Sequence, residues 1–375
     1  MIIGVIKERK PEQRVAMLPE TVAALCKMNV TVLVEKGAGL SAYASDDAYE
    51  LAGAQLLTKE EVMEKSGMIV MINPPTEEEV NRLKEGQLFL AAFNPLFNKD
   101  LVCKLANKKV TSFSMDVVPR TSRAQAMDVL SSMATISGYK AVLTAASLLP
   151  KFFPMFMTAA GTIKPAKLLI LGAGVAGLQA VATARKLGAV VEVFDVRAAV
   201  KEEVIGLGAK FVEVEGAIDD KAAGGYAVEQ TDDFKKKQAQ AIHDHAVKSD
   251  VIICTAQIPG RRAPLLITKE TVDEMMPGSV IIDLAASTGG NCALTKDNGL
   301  VDHNGVKILG ESSFPVSMPS DASKMFGKNI FNFLKLMFNS KDEFNLNWED
   351  DLILGTCVTR DGVVINERVK AVMNV

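Results

Sequence analysis

Residues 167–184 read KLLILGAGVAGLQAVATA: a short apolar run, three glycines at the spacing GxGxxG, then an apolar pattern of helical period. No other stretch limits the fold so closely, because each glycine answers a separate geometric demand of a strand–turn–helix unit that faces a diphosphate. Gly172 permits the tight turn, Gly174 lets backbone N–H groups come up to the phosphates, and Gly177 lets the helix lie close to the strand. The helix N-terminus then points partial positive charge at the same place. Val175 and Ala176 lie inside the motif and belong to the cofactor-facing stretch. The run is also the longest candidate for a membrane span, but its three glycines and the Arg185–Lys186 pair that follows argue against one.

KLLILG (167–172), VVEVFD (190–195), KFVEV (210–214), DVIICTA (250–256), SVIIDLA (279–285) and VKILG (306–310) alternate mostly with helical patterns, and six strands complete a dinucleotide-binding sheet. Asp195 closes the second of them, where a carboxylate accepts both ribose hydroxyls of adenosine and repels a 2′-phosphate. The sequence therefore predicts NAD(H) as cofactor, with Asp195, Val196 and Arg197 on the adenosine side; Arg197 is the neighbour that would accommodate NADP instead. Thr255, Ala256 and Gln257 follow the fourth strand, where small or polar residues border the second ribose and the nicotinamide, although an ordinary strand end reads the same way. Residues 216–238, GAIDDKAAGGYAVEQTDDFKKKQ, are too long for an ordinary α/β connection and predict a lid, with Gly225 and Tyr226 as hinge and cover and Gln238 at its base. A plain insertion is the alternative.

Upstream, IIGVI, VTVLV (30–34), MIVMI (68–72), QLFLAA (87–92) and VTSFS (110–114) read as buried strands between helical segments, which predicts another mostly parallel sheet covered by helices. From about residue 123 to Leu149 only helical spacing remains, so one long helix should leave this unit. After Pro319 the pattern is helical again, with Ser320 or Asp321 as N-cap, and since the second sheet is finished by then this tail is expected to return to the first. The fold expectation is α/β, two Rossmann-like doubly wound domains with mostly parallel sheets: 1–131 with 320–375, discontinuous in sequence, and 132–319. A length of 375 residues suits two cores better than one.

Hydrophobic content of 48%, charged content of 23% and a net charge of −3 describe an ordinary globular protein, and no basic stripe argues for nucleic acid. Five scattered cysteines without a CxxC pair fit reduced thiols and no structural zinc. MIIGVIKERKPEQRVAMLPE lacks the pattern of a signal peptide, so the chain is expected in the cytoplasm.

A dehydrogenase of small hydroxy or amino acids moves a proton with the hydride and needs an acid or base beside the nicotinamide. His243 and His245 in AQAIHDHAVK and His303 in DHNG read as solvated surface residues, no cluster has metal-ligand spacing, and neither GxSxG nor GxxxxGK[ST] occurs. The nucleotide half of a site is complete where the acid–base half is empty.

PRTSRAQAMDVLSS (119–132) crowds Arg120, Gln125, Asp128 and Ser131 just ahead of an apolar run. From KERKPEQRVAMLPE through the glycine motif to GTCVTRDG, the chain resembles the alanine dehydrogenase and nicotinamide nucleotide transhydrogenase superfamily. PRTSRAQAMDVLSS closely resembles the signature of the NAD(H)-binding component of proton-translocating transhydrogenase. The resemblance implies that these residues form a polar loop and helix start at the nicotinamide and its ribose. Gln125 would help to hold a partner's nucleotide, Arg120 and Asp128 would orient the carboxamide and pyrophosphate region, and Ser131 would contact the dihydronicotinamide, with Tyr139 further along the same helix. Gln125 and Asp128, three apart, would share a helix face.

Against the alanine dehydrogenase pattern, Arg14 matches the substrate-carboxylate arginine, but the catalytic lysine is replaced by uncharged residues near Asn73, the histidine by Asn94 and the aspartate by Ser287. Hydride transfer directly between two nucleotides needs no proton carrier, only two rings held at near-attack distance away from water. The resemblance thus implies NADP(H) on a partner domain, membrane-spanning proton-translocating partner subunits and a homodimer. LILGTCVTRDGVVI (352–365) offers either a pairing surface or a plain hairpin. Since the chain stops at Val375 without membrane helices, a peripheral place on the cell membrane through those partners is expected. Two other readings stay open: an amino-acid dehydrogenase of the alanine or saccharopine type, and a non-catalytic NAD(H)-sensing module.

Overall fold

The computed structural model describes residues 1–216, 231–258, 261–339 and 341–373. The chain divides into two compact units, Met1–Met133 with Pro315–Val375, and Ala134–Phe314. The sequence pattern places the two crossings at 131/132 and 319/320.

In the first unit an eight-stranded sheet runs in the order Val363–Val364, Cys357–Arg360, Thr111–Ser114, Leu88–Ala91, Met68–Val70, Ile2–Val5, Thr31–Glu35, Gln55–Leu57. Its six N-terminal strands are parallel, and the hairpin from the C-terminal tail adds antiparallel to Thr111–Ser114. Alternate residues of a strand face opposite sides. Met68 and Val70 accordingly enter one apolar cluster while Ile69 enters another. Burial on both faces is why these strands read as unbroken apolar runs rather than as alternation.

The second unit repeats the design. Its seven-stranded sheet has the order Lys210–Phe211, Val190–Phe194, Lys167–Leu171, Val251–Cys254, Val280–Asp283, Val306–Gly310, Gly299–His303, all parallel except the last. Leu168 and Ile170 pack on one face, Leu169 and Leu171 on the other.

Five expectations change. The seventh strand, Gly299–His303, is not among those read from the sequence, although Asn304 and Gly305, both at positive φ (53° and 82°), are the two-residue turn that closes its hairpin with Val306–Gly310. KFVEV contributes only Lys210 and Phe211 to its sheet. The expected long helix is broken: a 3-10 turn covers Ser122–Met127, Asp128 is extended (φ −75°, ψ 93°), and the α-helix is Val129–Leu148. Gln125 and Asp128 therefore do not share a helix face. The cause is Asp128 itself, whose carboxylate accepts from the Ser131 N–H at 2.9 Å and the Ser131 hydroxyl at 2.6 Å and so opens the helix in the manner of an N-cap. The Pro319–Leu334 helix is entered through Pro319 in its first position, not through a Ser320 or Asp321 cap, and Met318 before it makes no side-chain cap. Finally, LILGTCVTRDGVVI is half helix, Asp351–Thr356, and half hairpin, and its strand Cys357–Arg360 is spent on the unit's own sheet rather than offered as a pairing surface.

Candidate functional site

In the second unit the chain leaves the central strand Lys167–Leu171 toward Val190–Phe194 on one side and later returns to Val251–Cys254 on the other. The crevice outside the carboxyl ends of two such strands is where doubly wound sheets take ligands. Gly172–Gly177 follows the first of them and Thr255–Gln257 the second.

The three glycines are held for different reasons. Gly172 has φ +105°, and its carbonyl accepts from the Thr255 hydroxyl at 3.0 Å, which also reaches Leu171 O at 3.1 Å. A Cβ on Gly177 would lie 1.9 Å from Gly172 O, so the turn and the Val175–Lys186 helix require its absence. A Cβ on Gly174 would meet no protein atom within 4 Å. Packing does not explain that glycine; an approaching ligand does. Gly174 precedes the Val175–Lys186 helix without a side-chain cap, leaving its first N–H groups to another acceptor. The Val129–Leu148 helix passes close by, since a Cβ on Gly138 would sit 2.1 Å from Ala176 O, and Tyr139 beside it is 38% exposed.

Asp195 closes the Val190–Phe194 strand beside the same turn. Its Oδ2 accepts from the Ala173 N–H at 2.7 Å, tying it to the glycine turn. The Arg197 guanidinium grips both carboxylate oxygens, with Nε–Oδ1 at 2.9 Å and Nη2–Oδ2 at 2.7 Å. Val196 borders a small cavity of about 80 Å³ together with Phe194, Asp195, Ala198, Phe211 and Phe234.

Thr255 is thus a brace for the glycine turn. Ala256 is fixed by a residue that sequence reasoning missed: Asn291 accepts from the Ala256 N–H at 3.1 Å and donates to Ala256 O at 2.9 Å and Pro264 O at 2.8 Å. Asn291 is placed in turn by fully buried Asp283, whose carboxylate accepts from the N–H groups of Ala285, Asn291 and Cys292 and from the Thr295 hydroxyl. An aspartate ending the apolar run SVIID was the only available signal. Gln257 donates to Leu284 O at 2.9 Å. Gln238 is half-buried on the Asp232–Ala246 helix, while Gly225 and Tyr226 lie outside the described residues.

The first unit gathers Arg120, Gln125, Asp128 and Ser131 in one loop and helix start, with Arg120 and Gln125 exposed and Asp128 bonded to Ser131. Anchors from the tail hold this loop, and they too were missed. The carboxamides of Asn329 and Asn332 both donate to Ala126 O, at 2.9 and 3.0 Å, and Arg123 pairs with Asp350 and with Asp351.

Asn73 donates to both Glu8 and Glu12 at 3.0 Å, and Glu12 also takes the Arg14 fork at 2.7–2.8 Å. Burial pushes the Glu8 carboxyl above its ordinary value, more than its bonds to Ile72 N–H and Asn73 lower it. Burial raises Glu12 too, but the hydrogen bonds and charge of Arg14 outweigh it and hold that carboxyl low. The amide brings no titratable proton to this network.

The three histidines are not simply solvated. His245 Nδ1 meets Glu192 at 2.6 Å, His303 Nε2 meets Asp273 at 2.5 Å, and His243 Nδ1 meets the Thr271 hydroxyl at 3.1 Å. Each bond ties one surface element to its neighbour. Among the described residues no group of three or more His, Cys, Asp and Glu is placed to hold a metal ion, and no helix is long and apolar enough to cross a membrane.

Residues 4–137 match the family model for the alanine dehydrogenase/PNT N-terminal domain, and residues 141–367 match that for the alanine dehydrogenase/PNT C-terminal domain. The first of the chains that make up the NAD(P) transhydrogenase alpha subunit of Rhodospirillum rubrum is 45% identical over 381 aligned residues, covering 98% of each chain. The alanine dehydrogenase of Methanococcus maripaludis is 30% identical over 328, covering 84% of this chain and 81% of that one. Among solved structures, the transhydrogenase of Sinorhizobium meliloti superposes with a TM-score of 0.89 at 40% identity, covering 97% of this chain and all of that one.

Proposed function

Because the chain belongs to the alanine dehydrogenase/PNT family, we propose that it is the NAD(H)-binding subunit of a proton-translocating NAD(P) transhydrogenase, passing hydride from NADH to NADP⁺ held by a partner domain. Its higher identity to a transhydrogenase subunit, 45%, than to an alanine dehydrogenase, 30%, supports that branch. The observation that carries the reading is the pairing of an open Gly174 with a polar network that lacks a proton carrier at Asn73.

NADH, when bound, supplies the hydride. The residues of the glycine turn hold its diphosphate: Gly174 leaves the space, the N–H groups of Val175 and Ala176 face the charge, and Thr255 keeps the turn rigid from behind. Asp195, with Val196 and Arg197, takes the adenosine ribose. Ala256 and Gln257 border the nicotinamide end, and Tyr139 lies on the helix that packs against Ala176. Gly225 and Tyr226 are the cover of a lid and Gln238 its base. Arg120, Gln125, Asp128 and Ser131 orient the reacting ring and hold the partner's nucleotide against it, and the Asp128–Ser131 bonds keep two of these groups in a fixed relation. Fixing two rings at near-attack distance is the whole of what the protein must supply, since no proton is exchanged at the ring.

NADP(H) resides on the partner domain, and membrane-spanning subunits carry the proton, so this chain works as a peripheral component on the cytoplasmic side. A homodimer is supported by the hairpin Phe156–Thr158/Gly161–Ile163, which exposes Met155, Phe156 and Met157 at 58%, 42% and 81%.

The test is a mixing assay. The chain alone should bind NADH and oxidise nothing; with an NADP(H)-binding transhydrogenase domain added, hydride should pass directly between nucleotides. Reduction of NAD⁺ by an amino acid at a useful rate would overturn the assignment.

A further inference from the structure

An ionised carboxylate has about four acceptor positions on its two oxygens. On Asp195 four donors fill them. Oδ1 takes the Arg197 backbone N–H at 2.8 Å and Arg197 Nε at 2.9 Å; Oδ2 takes the Ala173 N–H at 2.7 Å and Arg197 Nη2 at 2.7 Å. The Asp195 side chain is only 6% exposed and that of Arg197 21%. Lys201, the cation that lines the same small cavity, is engaged elsewhere, on Glu213 at 2.6 Å.

A ribose diol needs two acceptor positions, and the two backbone donors belong to the turn and cannot leave without unmaking it. Only the Arg197 side chain can yield them. We propose that Arg197 is an internal competitor for the Asp195 carboxylate, a specificity-determining residue that weakens NADH binding and narrows the preference for NAD(H) over NADP(H). This rests on the nucleotide site proposed above. The competition is effective because the arginine is tethered two residues away and its planar fork matches both oxygens. The same cation offsets the repulsion that Asp195 would exert on a 2′-phosphate. NADH must displace the fork; NADPH meets a site already half neutralised.

The experiment uses the full chain and compares wild type, Arg197→Ala, Arg197→Lys, Asp195→Ala and the Asp195→Ala/Arg197→Ala double variant, titrating NADH and NADPH by nucleotide fluorescence at one ionic strength. Arg197→Ala is expected to bind NADH about three- to tenfold more tightly and NADPH about tenfold more weakly, widening the ratio at least tenfold, as removal of a discriminating contact does. Arg197→Lys keeps the charge without the fork, so NADH should tighten as in the alanine variant while NADPH stays near wild type. In the Asp195→Ala background, Arg197→Ala should change NADH affinity less than about twofold, because the competition has lost its object. Unchanged or weaker NADH binding in both single Arg197 variants, or an equal Arg197→Ala effect with and without Asp195, overturns the proposal. Wild-type chain that binds neither nucleotide would instead overturn the nucleotide-site reading on which it rests.

Discussion

Gly174→Ala separates ligand binding from folding, and Gly177→Ala is its counterpart. At Gly174 the backbone has φ −78°, and an added Cβ finds nothing within 4 Å. Alanine there is compatible with the fold and should stabilise it by about 0.4–1 kcal/mol through the unfolded chain. The methyl would instead stand where the diphosphate approaches. Losing one N–H bond to a charged group costs about 1.5–3 kcal/mol. That corresponds to roughly 10- to 150-fold weaker NADH binding. At Gly177 the Cβ would lie 1.9 Å from Gly172 O and 2.9 Å from its carbonyl carbon, so strand end or helix must move. Overpacking of this kind costs about 1–3 kcal/mol. The second unit spans Ala134–Phe314, and a domain of that size loses about 2–4 °C in Tm per kcal/mol. Thermal unfolding and NADH titration on both variants decide the matter. Gly174→Ala should keep its Tm and lose affinity; Gly177→Ala should lose both. A Gly174→Ala protein that binds NADH as tightly as wild type would show that the diphosphate does not pass over this turn, and the argument from the open Cβ position would fall.

Gln125→Asn should slow hydride transfer in the mixing assay with NADH affinity nearly unchanged, and the Asn329→Ala/Asn332→Ala pair, by untying Ala126 next to it, should do the same by about tenfold, the scale of a misplaced reacting group; stopped-flow transfer beside equilibrium NADH titration checks both. Asp283→Ala strips the acceptor from four buried or half-buried donors and should cost at least about 3 kcal/mol in denaturant unfolding. The folded-state pKa of Glu8 is raised by burial, so the folded chain holds that proton more tightly than the unfolded one. Its contribution to stability is full below the ordinary glutamate value of 4.5 and is lost as pH rises through the folded value. Wild type should therefore lose stability relative to Glu8→Gln as pH rises from about 5 to about 8, and a pH-independent difference would show that Glu8 ionises normally. Thiol chemistry follows burial in the same way. Cys292 and Cys357 are pushed up to about 11 and about 12, both by desolvation first, so a thiol reagent at neutral pH should modify exposed Cys103 well before either. Equal labelling rates in a mass-spectrometric time course would contradict their burial.

Neighbouring residues suffice to announce the glycine turn, the apolar strands on both sides of it and the carboxylate at 195, because each follows from constraints within a few positions: a turn, a period of two, a strand end. They also announce the crowding of polar groups between Arg120 and Ser131. They do not reveal that Asp128 turns back on Ser131 and ends the 3-10 turn, since an aspartate inside an apparently helical pattern reads equally as a solvated side chain. The Asn304–Gly305 turn is legible in the chain, but the strand before it is not, because its outward residues face water and its apolar signal is weak.

Partnerships across long separations leave no trace in the pattern. Asn291 steadies Ala256 from 35 residues away, and Asn329 and Asn332 hold Ala126 from 203 and 206. Asparagines in such positions carry no periodicity of their own; adjacency of strands and packing of the returning tail give them their partners. Even the two-residue step from Asp195 to Arg197 needs the fold, because the chain alone does not say whether the guanidinium turns back on the carboxylate or out to water. The order of residues specifies which chemical groups exist and the local geometry of the turn that would cradle a diphosphate. Folding settles which of those groups are already bonded to one another, and the physical reason is that a hydrogen bond depends on angstrom-scale distances between segments that only the assembled sheets and helices bring together.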